Sequence, residues 1–248
     1  MKKYVIGIDY GTLSARAILA DAENGNILPH KPTFTYPHGV MTELAGKPLP
    51  SEFALQHPKD YTDALEEIIP RAVKENGVSP EQIVGIGIDF TACTLLPVDE
   101  AGTPLCFSAE FKDDPHAYVK LWKHHGAVKQ ALECDRVAYE LNEPWLLNNG
   151  GTSSSESMFP KILETLQEAP AVYEKTDRFY EAVDWLSLMI TGAETHNPCM
   201  AGLKAYWDAE IGYPENEYFR AVHPKMDGII GTKVCKDVGR VDSLAGYV

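Results

Sequence analysis

The amino-acid sequence predicts an α/β chain built around a mixed sheet, and three observations carry that expectation. Two apolar, β-branched runs, residues 4–9 and 83–89, both end in Gly-Ile-Asp, with carboxylates at Asp9 and Asp89. Such a run, bounded by turn residues, reads as a buried strand. Between the two, Tyr61, Leu65, Ile68, Ile69, Ala72 and Val73 recur at helical spacing. Strand, helix and strand in that order make a crossover, and hence a parallel pair. The first run also turns back at once through Gly11, which adds an antiparallel partner to the same sheet.

Taken in order, residues 3–36 read as a three-stranded meander. Its second strand is 15–20, and Glu23-Asn24-Gly25-Asn26 is the hairpin turn before Ile27. Residues 37–56 have no period and are rich in proline and glycine, so they form a long irregular loop. His57-Pro58 opens the helix, Pro70 kinks it or removes a hydrogen bond, and Asn76-Gly77 ends it. After the strand 83–89, residues 94–98 make another, turned by Asp99-Glu100-Ala101-Gly102. Beyond Pro115 the chain reads as mostly helical. One amphipathic helix opens at 118–125 and continues past Gly126 to about Cys134. Asn148-Asn149-Gly150-Gly151 breaks the chain. Ser153 and Glu156 match a capping box ahead of the apolar face Met158, Phe159, Ile162, Leu163 and Leu166, with Pro160 delaying the regular helix. Residues 182–190 form a buried helix closed by Thr191-Gly192.

The 248 residues suffice for one large α/β domain or two small ones. Hydrophobic content of 44% and charged content of 23% are those of a soluble globular chain. A formal charge of −14 argues against nucleic acid or an anionic membrane as main partner, while leaving room for a local basic pocket. Cys93, Cys106, Cys134, Cys199 and Cys235 are odd in number and scattered, with no C-x-x-C pair. They predict reduced thiols in a cytoplasmic protein, not disulfides or a zinc site. Asp9 cuts the first apolar run too short for a signal peptide, and no stretch has the length of a transmembrane helix.

The chemistry concentrates at few places. After Asp9, the turn Gly11-Thr12-Leu13-Ser14 with Arg16 combines backbone N–H groups, two hydroxyls and a guanidinium. Such donors suit a phosphate, and a nearby carboxylate suits the Mg²⁺ that accompanies it. An ordinary glycine turn whose Asp caps its own backbone is the other reading. Neighbouring Gly-Ile-Asp strands would bring Asp9 and Asp89 to one edge. Walker A, G-x-G-x-x-G, H-E-x-x-H and G-x-S-x-G are all absent from the sequence, which leaves this hairpin as the best phosphate site. In Phe90-Thr91-Ala92-Cys93-Thr94, the alanine either admits a small polar ligand to the backbone or simply packs. In Leu121-Trp122-Lys123-His124-His125, an aromatic face with adjacent cations suits a polyhydroxylated ligand, unless the tryptophan is core. Neighbouring histidines on a helix point to different sides, which weakens a metal pair. Lys204, among apolar and aromatic residues, either meets a ligand or runs along apolar surface to water.

Together these motifs resemble the FGGY carbohydrate kinases. The first hairpin is similar to the phosphate-binding hairpin of the sugar kinase, hexokinase, Hsp70 and actin superfamily. Within the family the L-ribulokinase group fits best, through the Trp122-Lys123-His124-His125 segment and through Ala201-Gly202-Leu203-Lys204-Ala205-Tyr206-Trp207. His124 stands where most of the family has Asp. Asp184-Trp185 before Thr191-Gly192 also matches. The resemblance spans Tyr4 to about Gly246 and implies a ribonuclease-H-like α/β fold, a mixed sheet flanked by helices. It implies that residues 1–248 form the N-terminal, sugar-binding domain, with the C-terminal nucleotide-binding domain absent from this chain and 238–248 as its approach. The implied activity is transfer of the γ-phosphoryl group of Mg·ATP to the 5-hydroxyl of L-ribulose, as in L-arabinose catabolism. Xylulose, ribitol or another polyol is an alternative substrate, and a non-catalytic actin-like binding domain is an alternative role. Asp9 (through water to the metal), Gly11, Thr12, Ser14 and Arg16 are implied at the phosphates and Mg²⁺. Ala92, Trp122, Lys123 and Lys204 are implied at the sugar. The catalytic Asp would belong to the second domain, so no catalytic residue is expected here and the chain alone would be inactive. The implied cofactors are ATP and Mg²⁺, the partners a sugar and ATP, with a homodimer left open.

Overall fold

The computed structural model describes residues 1–240 and 243–248; Val241 and Asp242, within the expected 238–248 approach, lie outside the described residues. Two compact units emerge, 1–41 with 56–91, and 42–55 with 92–248.

In the first unit, β1 (Tyr4–Tyr10), β2 (Ser14–Asp21), β3 (Thr33–Thr35), α1 (Lys59–Glu75) and β4 (Ile83–Phe90) follow the expected order. The sheet runs β3-β2-β1-β4. β1 and β2 are antiparallel with Asp9 opposite Arg16, and β1 and β4 are parallel with Asp9 opposite Asp89. The crossover and the meander are therefore both present. The third strand comes later than the turn suggests, because Ile27 makes only an isolated bridge to Ala20. The period of two places Ile6, Ile8, Tyr10, Ala15, Ala17 and Leu19 on one buried face. Helix α1 supplies Tyr61, Ala64, Ile68 and Ala72, all buried. Full burial contributes roughly 1.5–3 kcal/mol per large apolar side chain. Pro70 lies inside the continuous helix rather than ending it, and Asn76 closes the last turn through Nδ2 to Ala72 O at 2.8 Å.

The second unit holds β5 (Leu95–Val98), β6 (Val119–Lys120), α2 (Val128–Leu141), α3 (Met158–Glu168), β7 (Arg178–Glu181), α4 (Ala182–Thr191), α5 (Pro198–Lys204) and α6 (Asn216–Val222). Its sheet runs β7-β5-β6, continued at the edge by Leu55. Its core gathers Phe159, Ile162, Leu163, Trp145, Tyr206, Tyr218 and Phe219. Trp145 and Tyr206 stack with ring centroids 3.8 Å apart, an arrangement that adds to plain area burial.

Two expectations are corrected here. Residues 118–125 do not open a helix: Val119 and Lys120 form a strand with Lys120 opposite Leu95, a turn follows, and α2 starts only at Val128. The helical spacing is overridden because Leu121 N–H donates to Ala54 O at 2.9 Å and Lys120 is drawn into a buried ion pair. Gly126 is needed in that turn, since a Cβ there would lie 2.2 Å from Glu164 Oε1. The capping box does not form either. Ser157 is the N-cap of α3, Ser154 Oγ accepts from Glu156 N–H at 3.1 Å, and Pro160 fits in the first turn, where its missing N–H is not required. The helix at 182–190 is present, closed by Gly192 at φ +70°.

Candidate functional site

In the first unit, Asp9 and Asp89 end adjacent parallel strands at the same register. Asp9 Oδ2 lies 3.3 Å from Arg16 Nε, both side chains about half exposed. Such a pair contributes little to stability, so Arg16 is free to exchange its carboxylate for a ligand's charge. Asp89 Oδ1 instead accepts the N–H of Phe90 at 3.0 Å. A depression beside them is lined by Gly7, Asp9, Arg16, Ile18, Gly87 and Asp89. A Cβ at Gly87 would meet nothing within 4 Å, so the sheet face there is bare backbone.

The hairpin turn is closed by Gly11 N–H donating to Ser14 O at 3.0 Å. It is also held from below, by Gln56. Its Nε2 donates to Thr12 O at 2.7 Å, and its Oε1 accepts Tyr61 O–H at 2.6 Å. Tyr10 O–H in turn donates to Tyr61 O at 2.9 Å. Gln56 was hidden at the end of an unpatterned loop, and only its burial reveals the role. Among the described residues, no cluster of three or more metal-ligating side chains occurs. Two adjacent carboxylates beside a hydroxyl turn do fit Mg²⁺ in its usual manner, where one or two carboxylates act together with retained waters and substrate phosphates.

In the second unit, Ala92 precedes a bend. Cys93 has φ +61° and is buried, a conformation that costs a non-glycine residue about 1–3 kcal/mol unless its surroundings hold it. They do. Lys161 Nζ donates to Cys93 O at 2.6 Å, Thr94 N–H donates to Glu181 Oε2 at 2.9 Å, and Ala182 N–H donates to Thr94 O at 2.8 Å. Lys161 Nζ also donates to Leu121 O at 2.9 Å. Burial pushes the Glu181 carboxyl up to about 7, against the pull of Lys161 and the Thr94 N–H.

Trp122 follows Leu121 and is 39% exposed, so it is not a core residue. Lys123 beside it is half-buried. His124 and His125 do diverge, though on a turn. His124 Nε2 is 2.9 Å from Glu164 Oε2 and its Nδ1 accepts Ala54 N–H, while His125 Nδ1 lies 3.1 Å from Ser155 Oγ. Those partners place the proton of His124 on Nε2, and burial lowers its pKa to about 4, so the ring is neutral. Lys120 Nζ completes the cluster, donating to Glu164 Oε2 at 2.6 Å and to Thr165 Oγ1 at 2.7 Å. Burial alone would raise Glu164, but Lys120 and the His124 hydrogen bond overrule it and hold the carboxyl at about 2.

Lys204 ends α5 with Nζ 3.3 Å from Glu156 Oε2, both about a quarter exposed. It neither lies buried nor runs free to water. Burial raises the Cys93 thiol, and Lys204 and Glu156 both act on it electrostatically. Lys204 thus pairs with a residue two positions before α3, and Lys161 of α3 bonds the backbone carbonyls of Cys93 and Leu121, the neighbours of Ala92 and Trp122. Sequence reasoning missed Lys161, Glu164, Glu156 and Glu181. The available signal was charge inside an apolar helix: Lys161 and Glu164 interrupt a run in which every residue from Met158 to Leu166 is buried.

Comparison with known proteins bears on the family and the fold. The sequence pattern of the N-terminal domain of the FGGY family of carbohydrate kinases matches residues 4–212. Ribulokinase of Geobacillus thermodenitrificans is 45% identical over 250 residues, covering 100% of this chain and 44% of that protein. Among solved structures, gluconate kinase from Lactobacillus acidophilus superposes with TM-score 0.75 at 15% identity, covering 100% of this chain and 44% of the other. Ligand-bound xylulose kinase from the same organism gives 0.72 at 16%, covering 96% and 42%. The chain thus spans about 44% of the length of the curated relatives it matches. The mixed sheet with flanking helices is the fold of these sugar kinases, as the first hairpin implies. No helix among the described residues is long and apolar enough to cross a membrane.

Proposed function

The chain belongs to the FGGY family of carbohydrate kinases, and from that premise we propose that it is the sugar-binding part of an ATP-dependent kinase that phosphorylates L-ribulose at its 5-hydroxyl. The setting we propose is cytoplasmic breakdown of L-arabinose. The observation that carries the reading is the pair of Gly-Ile-Asp strand ends held at one register, with a hydroxyl-bearing turn beside Asp9. The similarity to a ribulokinase over the full chain supports the choice of sugar.

Phosphoryl transfer of this kind depends mainly on positioning and charge stabilisation. Thr12 and Ser14 face the phosphates from the turn that the Gly11 N–H closes, and Arg16 leaves Asp9 to meet their charge. Asp9 would hold Mg²⁺ through its waters, with Asp89 alongside. Magnesium, when bound there, would supply charge neutralisation for the phosphates. Ala92, Trp122, Lys123 and Lys204 hold the sugar: the alanine leaves room, the indole offers an apolar face to ring or chain carbons, and the ammonium groups donate to hydroxyls. No residue of this chain is assigned as the general base, which we place elsewhere in a longer protein.

Isothermal titration of the 248-residue chain with L-ribulose, xylulose and ribitol, with and without Mg·ATP, tests the reading. L-ribulose is expected to bind best, and a coupled ADP-release assay is expected to show no turnover above the no-sugar background. Absence of binding to any of the three sugars would overturn the assignment, and turnover would show that the chain carries its own base.

A further inference from the structure

Helix α3 carries, one turn apart, the two side chains that reach the sugar-side segments from within. Lys161 is fully buried and makes two hydrogen bonds to backbone carbonyls, to Cys93 O at 2.6 Å and to Leu121 O at 2.9 Å. One carbonyl belongs to the residue after Ala92, the other to the residue before Trp122. An ammonium group has three donors and no acceptor, so it can join two carbonyl dipoles that would otherwise repel across a water-free space. The same helix grips the second segment again through Glu164, which bonds Lys120 and His124 on either side of Leu121. Glu181 grips the first segment again through Thr94 N–H. The left-handed backbone of Cys93 is thus held on its carbonyl side by Lys161 and on the following N–H by Glu181.

We propose that Lys161 is a positioning residue for sugar recognition: it fixes the bend at Ala92 and Cys93 against the turn at Leu121 and Trp122, and sets sugar affinity without touching the sugar. The proposal rests on the sugar-binding reading above. Its chemistry needs a long, buried side chain with at least two donors at its tip. A shorter polar side chain could not span both carbonyls, and an apolar one would take the Lys161 donor from Cys93 O and leave Leu121 O with the His124 N–H alone, at 2.9 Å.

Two readouts on the 248-residue chain test it, residue-resolved amide hydrogen exchange and calorimetric titration with L-ribulose. Lys161→Met keeps the volume of the stem and removes the donors. Its unfolding should stay cooperative, exchange at Thr94 and from 121 to 124 should quicken at least tenfold, exchange in β1 should not change, and L-ribulose affinity should fall tenfold or more. Lys161→Arg, which keeps a cation and donors, should restore part of both losses. Unchanged exchange at those amides overturns the proposal, as does loosened exchange with unchanged affinity, or a stability loss with neither. If the unaltered chain binds no sugar, the functional reading fails by itself, and the exchange comparison still decides whether Lys161 holds the two segments. Should Lys161→Met not fold, Lys161→Arg carries the same readouts against the unaltered chain, with a smaller loosening and a smaller affinity loss expected, and no change in either overturning the proposal.

Discussion

The strand ends at Asp9 and Asp89 and the interior face of α3 handle charge in opposite ways. At the strand ends the charged groups are half exposed, the pair between Asp9 and Arg16 spans 3.3 Å, and the geometry comes from backbone register. Around α3, Lys120, Lys161 and Glu164 are fully buried or nearly so, and the geometry comes from side chains reaching distant backbone. The first arrangement leaves its charges available to a ligand at little cost in stability. The second cannot release any member without leaving a charge or a carbonyl unsatisfied in a medium of low dielectric. A surface made of backbone register can offer its charges, whereas a buried network can only support what lies outside it.

The sharpest way to break that contrast is Glu164→Ala. Removing one partner of a buried ion pair should cost about 3–5 kcal/mol, read as a fall in the urea midpoint. Replacing the pair together, Glu164→Leu with Lys120→Met, should recover much of it. Equal losses in both variants would mean that packing, and not charge, is what Glu164 provides.

The pH dependence separates two carboxylates within the same unit. Folded Glu164 titrates at about 2 instead of 4.5, so the unfolded chain binds the extra proton between those values. Its contribution is present above pH 4.5 and lost as pH falls toward 2. Glu181 titrates at about 7 when folded, so the folded state holds the extra proton and stability declines as pH rises from 4.5 to 7. Glu181→Gln should therefore flatten that rise-with-pH decline by about 1.4 kcal/mol per pH unit, measured as the difference between variant and unaltered midpoints across the range. A difference that does not vary with pH would show that Glu181 is ionised throughout.

A smaller effect is expected at Lys204, whose pair with Glu156 is partly exposed. Lys204→Met should lower L-ribulose affinity about tenfold, or ~1.4 kcal/mol, with stability changed by less than about 1 kcal/mol. A stability loss with affinity intact would mean that the stem only packs along apolar surface. The smallest effect is expected at Asp9. Asp9→Asn should alter the stability of the chain by under ~1 kcal/mol, because its ion pair is half exposed. A larger loss in urea unfolding would move Asp9 from the ligand-facing to the structural group.

The same contrast explains what could be read in the sequence. Asp9 and Asp89 were legible because a strand's period and a glycine turn are local patterns, and two copies of one pattern pointed to neighbouring strands. Ile8, Ile68 and Ala72 were legible as core for the same reason, whereas Tyr10, past the end of the expected strand, was not. The strand at Val119 was not, because residues 118–125 satisfy a helical pattern locally and only partners at Ala54 and Glu164 reverse it. Lys161 was invisible in its role: its acceptors lie 68 and 40 positions away, and no spacing rule connects them. Gln56 was lost in the loop that precedes α1, where burial and not pattern identifies it.

A helix enclosed on every side, as α3 is from Met158 to Leu166, cannot be the last piece laid against a finished core. Its bonds to Cys93, Leu121 and His124 bridge 40 to 68 residues of chain, and closing contacts of that range is slow beside local helix formation. Lys161 and Glu164 must also lose their water as their partners arrive. The order of assembly in the second unit is therefore constrained: β5 and β6 condense around α3 instead of receiving it. Folding kinetics would register this as φ-values well above one half at Ile162 and Leu163, against low values in the outer helix α2, and the reverse ranking would place α3 late.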